Sequence, residues 1–202
     1  MKVVHKIALM PALAVAALLL VFIVVQLTRS ANEDLNRKIE TGYMPAVTTS
    51  QNLVEMLAAL QRGLQDAVAS ADPTILAETD ELRREFMQTV NDAEANETLD
   101  TDQMEAIGRE FQEYYELARG TSLRMINMEI GTDLQDALTT MADRYNAIKA
   151  TLDEIAAQSS VDISQAFELA RSNQKRATIV LSLIHISEPT RLGMLSRMPS
   201  SA

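Results

Sequence analysis

The sequence predicts an all-α protein: an N-terminal transmembrane helix followed by an antiparallel up-down-up-down four-helix bundle with two long and two shorter helices. Three observations carry this. Residues Ile7–Leu27 form an apolar stretch of 21 residues without a formal charge. As a helix it reaches roughly 30 Å, the thickness of a bilayer's hydrocarbon core. Downstream, apolar residues recur in alternating steps of three and four, the seam of helices packed at shallow angles. The composition leaves little material for a sheet: 6 Gly, 5 Pro, no Trp and 4% aromatic residues in 202. Ala, Leu, Glu, Gln and Met abound, and these are helix formers.

The first element is the apolar stretch itself. Lys2, His5 and Lys6 precede it, as they would a signal peptide or a signal anchor. The run exceeds the usual apolar region of a cleavable peptide, and Gln26–Ser30 offers no small-residue cut site, so it is expected to stay as a membrane helix. Arg29, Arg37 and Lys38 nearly balance Lys2 and Lys6 across the span; the short tail favours a cytoplasmic start, residues 1–6, and an exported middle.

The second element, the first bundle helix, reads Ile39, Tyr43, Ala46, Ser50, Leu53, Leu57, Leu60, Leu64, Ala67 and Ala71. Pro45 interrupts this seam and predicts a kink or junction near Tyr43–Pro45. Ser70–Pro73 stops the helix, with Asp72 placed to cap the next and Pro73 at its first position. The second helix follows Ile75, Thr79, Leu82, Phe86, Thr89 and Ala93, and ends in the polar stretch Asn91–Asp100 with Asn96 as breaker. The third has the cleanest seam: Met104, Ile107, Phe111, Tyr114, Ala118, Thr121, Met125 and Met128. Asp100, Thr101 or Asp102 can cap its start, and Gly131 with Thr132 is expected to end it, the glycine in a left-handed cap. The fourth reads Leu134, Leu138, Met141, Tyr145, Ile148, Leu152 and Ile155, then Ile163, Ala166 and Ala170, with nothing to break it before Val180.

Lengths set the architecture. The outer helices run about 45 residues, roughly 65 Å, and the inner pair about half to two-thirds of that. The inner pair can therefore cover only the far end of the outer pair, which continues to the bilayer and there exposes seams that favour a dimer. The domains expected are the anchor 7–27, an extracytoplasmic bundle 28–176 and the start of a second membrane helix at 177–180.

Charge and residue types exclude much. From Arg29 to Arg176 there are 27 Asp and Glu against 14 Lys and Arg, a surface that repels nucleic acid and anionic lipid. No Cys is present, so neither a disulfide framework nor a thiolate metal site can form. Two distant histidines make no metal site, carboxylate pairs such as Asp80/Glu81 and Asp153/Glu154 fall on solvent-facing positions, and no phosphate loop or nucleophile–base spacing stands out. No catalytic residue, metal or cofactor is expected. Met104, Met125, Met128 and Met141 sit on seams and read as core. The candidate binding residues are Arg62, Arg119 and Arg124, beside apolar seams, where a guanidinium can take a carboxylate bidentately. Tyr115 adds a hydroxyl. Ordinary pairing of Glu113 or Glu116 with Arg109 or Arg119 is the competing account.

The anchor, the Tyr43-Met44-Pro45 near the start of the first bundle helix, the Leu/Ala/Gln seam, and Phe111–Arg119 followed by Met125-Ile126 together resemble the four-helix-bundle sensory ectodomains of bacterial signal transducers. Methyl-accepting chemotaxis proteins, membrane histidine kinases and membrane diguanylate cyclases share that module. The resemblance covers about residues 1–180. It implies a ligand-sensing input module in the bacterial inner membrane, its bundle periplasmic or extracellular. The expected partners are a second copy of the chain, the membrane, and a small anionic ligand or a periplasmic binding protein. No linker, kinase, cyclase or methylation-helix sequence follows, so no output can be assigned. The alternative is an anchored structural or interaction bundle without ligand or output.

Residues Leu181–Ala202 read differently. A membrane helix begun at Ala177 meets His185, Glu188, Pro189 and Arg191, each costly or disruptive in a span. LSLIHISEPTR resembles the translation of a transposase-type sequencing adapter, and Ser196–Ala202 that of its flanking adapter in another frame. The tail is therefore expected to be non-native and is excluded from the fold.

Overall fold

The computed structural model describes the backbone of residues 2–186 and, with the exception of Ala17, the side chains of residues 15–179, together with Ser182. Every described element is helical. Helix α1 (Lys2–Lys38) passes through a π-helical turn, Ile39–Tyr43, into α2 (Met44–Ser70). A single 3₁₀ turn, Pro73–Ile75, leads into α3 (Leu76–Ala93), followed by α4 (Thr101–Ile126) and α5 (Thr132–Ile186). Because helical backbone is unbroken from Lys2 to Ser70, the described residues make four helices. They divide into two compact units, Arg37–Gln165 and the chain segments on either side of it. The first of these lies inside the 28–176 range expected for the bundle.

Within Arg37–Gln165 each neighbouring pair of helices runs antiparallel. Gly63 on α2 lies against Thr79 on α3, while Asn96, beyond the far end of α3, donates to the Gly42 carbonyl at 2.9 Å. On α3 and α4, Phe86 stacks on Phe111 with centroids 3.6 Å apart and planes 13° off parallel. Arg144 on α5 donates to Glu113 on α4 at 2.6 Å. The core these helices enclose holds Leu53, Leu57, Leu60 and Leu64 from α2, Phe86 and Val90 from α3, Ile107, Phe111 and Tyr114 from α4, and Ile148 and Leu152 from α5. Each such side chain, moved out of water, contributes about 1.5–3 kcal/mol.

Local chemistry explains the element ends. Pro45 has no N–H to give and its ring would press on the carbonyl one turn back. The chain answers with the π turn just before it, in which the Met44 N–H reaches back five residues to the Ile39 carbonyl. The expected junction is thus a local widening, and it moves the seam: Gly42, not Tyr43, is buried between Ile39 and Ala46. Gly42 is required there, since a Cβ would collide with the Thr98 methyl.

Asp72 caps as expected, accepting from the Thr74 N–H at 2.9 Å, and Asp100 accepts from the N–H groups of Asp102 and Gln103. The end of α4 differs from expectation. The helix stops at Ile126, and Met128, at φ 57°, takes the left-handed position while Gly131 does not. The Glu129 N–H bonds the Arg124 carbonyl and the Met128 N–H that of Met125, each at 3.0 Å. This double closure satisfies two end carbonyls with Met where Gly is usual. Met128 is therefore 82% exposed rather than in the core. Ala71, φ 50°, ends α2 in the same manner.

In the other unit, Asn32 and Asn36 of α1 and Phe167, Ala170, Arg171 and Gln174 of α5 line one shallow groove. The expected membrane span is helical throughout. Residues 7–14 of it, and Ala17, lie outside the described side chains, and among the described residues no helix is long and apolar enough to cross a membrane. The N-terminal transmembrane helix is thus not supported as expected from the sequence. The described part, from Val15 to Leu27, exposes Leu18, Leu19, Leu20, Phe22, Ile23 and Leu27. Helix α5 runs on through 177–180 to Ile186; the rest of the tail expected to be non-native, residues 187–202, lies outside the described residues.

Candidate functional site

Of the four residues singled out from the sequence, the structure joins Tyr115 and Arg119 on one carboxylate, while Arg124 pairs elsewhere. Tyr115 and Arg119, one turn apart on α4, meet Asp80 of α3. The Tyr115 hydroxyl donates to Asp80 Oδ1 at 2.5 Å. Arg119 lays a fork across the same carboxylate, Nε to Oδ1 at 3.1 Å and Nη2 to Oδ2 at 3.3 Å. The Thr79 hydroxyl, which donates to the Leu76 carbonyl, sits 3.2 Å from Tyr115 Oη. Arg83 covers the Tyr115 ring at 5.6 Å and donates to Gln112, a cation–π contact.

The electrostatics follow from these contacts. The Tyr115 hydrogen bond, with help from Arg119, holds the Asp80 carboxyl below its ordinary range against the opposing effect of burial. Burial, then Asp80, pushes the Tyr115 hydroxyl up. Such a network clamps α3 to α4. It also gives Arg119 a permanent carboxylate, so an anionic ligand would have to displace Asp80.

Arg124 is committed as well, to Glu129 at 2.8 Å and Asp133 at 2.5 Å across the α4–α5 turn. Arg62 is exposed on α2 and forms no ion pair among the described residues. Two of the three arginines thus serve the fold, and bidentate pairing across helices, rather than along one helix, accounts for Arg119.

A different site emerges between α2, α4 and α5. A cleft of about 260 Å³ is lined by Gln61, Leu64, Gln65, Val68 and Ala69 of α2, Tyr114, Thr121, Ser122 and Met125 of α4, and Leu138 and Met141 of α5. Tyr114 is 0% exposed. Its ring tilts against Phe111 at 6.4 Å and Tyr145 at 6.1 Å, yet its hydroxyl has no hydrogen-bond partner. Burial drives its pKa well up from 10.0, so it is a protonated donor throughout the physiological range. Unsatisfied buried hydroxyls are uncommon because each costs about 1–3 kcal/mol.

The sequence placed Tyr114, Met125, Leu138 and Met141 on seams and so read them as core. The signal that separates them is polar: Thr121 and Ser122 follow Tyr114 two turns on along α4, facing Gln61 and Gln65 of α2 across the cleft. Beside that row of hydroxyls and amides, Met125, Leu138 and Met141 are half-buried. A larger groove of about 460 Å³ crosses α3 and α4 over Gly108. Its carboxylates Glu94, Glu105 and Glu113 are exposed, and Arg109 pairs with Glu105, so solvent and internal pairing account for its polar groups.

Among the described residues no group of three or more His, Cys, Asp or Glu is placed to hold a metal ion. Comparison with protein-family models, with curated proteins and with solved structures finds no match to this chain.

Proposed function

We propose that the chain is the extracytoplasmic ligand-sensing input module of a bacterial transmembrane receptor of the chemotaxis or two-component type. The observation that carries this is helical continuity: the backbone is helical without a break from Lys2, through the apolar stretch, to Ser70 at the end of α2, the helix that gives the core Leu53, Leu57, Leu60 and Leu64. Shifts of about 1–2 Å in one helix are a known currency of such switches. The large apolar side chains of residues 15–27, exposed on most sides of α1, are the kind of surface that a bilayer covers. A ligand moves such a device only by binding two bundle states unequally; the three-helix cleft offers a place for that.

Two measurements test the proposal. In intact cells, a single Glu97→Cys is labelled by a membrane-impermeant maleimide while the chain sediments with membranes; a chain recovered in the soluble fraction overturns the anchor. Residues 1–180 are then joined to the signalling half of a receptor kinase. The chimaera's output is expected to change when Ala69→Phe wedges the cleft. Equal output at equal expression favours an anchored structural bundle instead.

A further inference from the structure

We propose that the cleft between α2, α4 and α5 binds a small uncharged molecule, mainly apolar and carrying one hydrogen-bond acceptor, which the Tyr114 hydroxyl engages. The proposal deepens the sensory reading by naming the ligand's class, and replaces the anionic ligand that the arginines suggested.

Four features fix the class. The lining contains no Lys, Arg, Asp or Glu, so an ionised ligand would be desolvated without a counter-charge, which costs far more than a cleft of this size returns. Leu64, Met125, Leu138 and Met141 supply apolar walls, and thioethers adapt to irregular shapes. The size suits a compact ring: a cavity of roughly 150 Å³ holds benzene, so about 260 Å³ accommodates roughly ten non-hydrogen atoms by the same scale. Finally, the Tyr114 hydroxyl is fully buried and without a partner. As a neutral phenol it has a proton to give, so the complementary group is an acceptor such as a ketone or ester carbonyl.

Three probes of similar size separate the possibilities: acetophenone (neutral, with an acceptor), ethylbenzene (neutral, without one) and benzoate (anionic). Each is titrated calorimetrically into the full chain in lipid nanodiscs, with empty nanodiscs subtracted for partitioning, and again into Tyr114→Phe. Acetophenone is expected to bind saturably and to weaken about five- to tenfold in Tyr114→Phe, the loss of one hydrogen bond. Ethylbenzene should bind the two proteins equally, and benzoate neither. Ala69→Phe, altered at the exposed edge of the cleft, should abolish acetophenone binding while the circular dichroism spectrum is unchanged.

Equal acetophenone affinity in wild type and Tyr114→Phe overturns the proposal, as does tighter binding of benzoate or no saturable binding of any probe. The sensory reading fails separately: acetophenone that binds as described yet leaves the chimaera's output unchanged removes the signalling role and keeps the site. Output driven by benzoate alone does the reverse.

Discussion

Replacing Tyr114 by Phe removes one oxygen and nothing else, and it should make the ligand-free protein more stable. The ring keeps its contacts with Phe111 and Tyr145 at 6.4 and 6.1 Å. What disappears is a hydroxyl that has left water without finding a partner, a penalty of about 1–3 kcal/mol. Allowing for lost dispersion contacts of the oxygen, the net gain is about 1–2 kcal/mol, or roughly 3–8 °C in Tm for a unit of this size. Urea unfolding followed at 222 nm should show a higher midpoint with an unchanged slope.

The substitution also has a pH signature. The folded state holds the Tyr114 proton more tightly than the unfolded state, whose value is near 10.0. Stability is therefore full below about pH 10, and each pH unit above it costs about 1.4 kcal/mol while only the unfolded state has lost its proton. In Tyr114→Phe that decline should shrink, the remainder coming from Tyr115, which burial also raises. If Tyr114→Phe is no more stable than wild type at pH 7, the hydroxyl is satisfied in solution and the cleft loses its claim on a ligand's acceptor.

Other outcomes follow from the packing. Phe111→Ala or Ile148→Ala, each at a fully buried position, should cost about 2–5 kcal/mol in chemical denaturation. Asp80, held low by Tyr115 and Arg119, contributes stability that is full above its unfolded value of about 3.8 and is lost as pH falls through its lower folded value. Asp80→Asn should therefore flatten acid unfolding in that window and cost no more than about 1 kcal/mol at pH 7, since Arg119 is 40% exposed. Met128→Gly relieves a left-handed Met at the end of α4 and should stabilise by about 0.5–1 kcal/mol, readable as a rise in Tm.

Which parts of this architecture were legible in sequence depends on the physics that decided them. The α4 seam from Met104 to Thr121 is buried as its spacing demands, because a three–four repeat has only one face to hide. Asp72 and Asp100 cap where a short acceptor precedes a helix. The seam failed where tertiary contacts outvoted periodicity. Thr98 and Asn96 draw Gly42 inward in place of Tyr43, and no local pattern announces a partner 54 residues away.

Leu76 and Val90, rather than Ile75 and Thr89, reach the core of α3, one residue from the expected stripe in each case. At the α4–α5 turn, Gly131 looked like the left-handed residue, but the backbone closes three residues earlier. The partner of Arg119 was not legible, because charge complementarity in one chain is blind to which carboxylate arrives first; Asp80 was in the sequence all along. Tyr114 was legible as core and illegible as a donor, since nothing in a heptad says whether a buried hydroxyl will find a partner.

Helix α5 is buried unevenly along its length. Ile148, Leu152 and Ile155 are sealed in the core, whereas Leu134, Leu138, Met141 and Tyr145, beside the cleft, are only half-buried. Uneven burial in one helix means uneven free energy of opening. The turns around Ile148 should exchange their amide hydrogens only when the whole bundle unfolds, and the first turns after Thr132 through a cheaper, separate excursion. Those first turns form one wall of the cleft. Local breathing of those turns is expected also to open the Tyr114 hydroxyl to a guest, whose arrival should slow exchange in residues 134–145 while leaving 148–155 untouched.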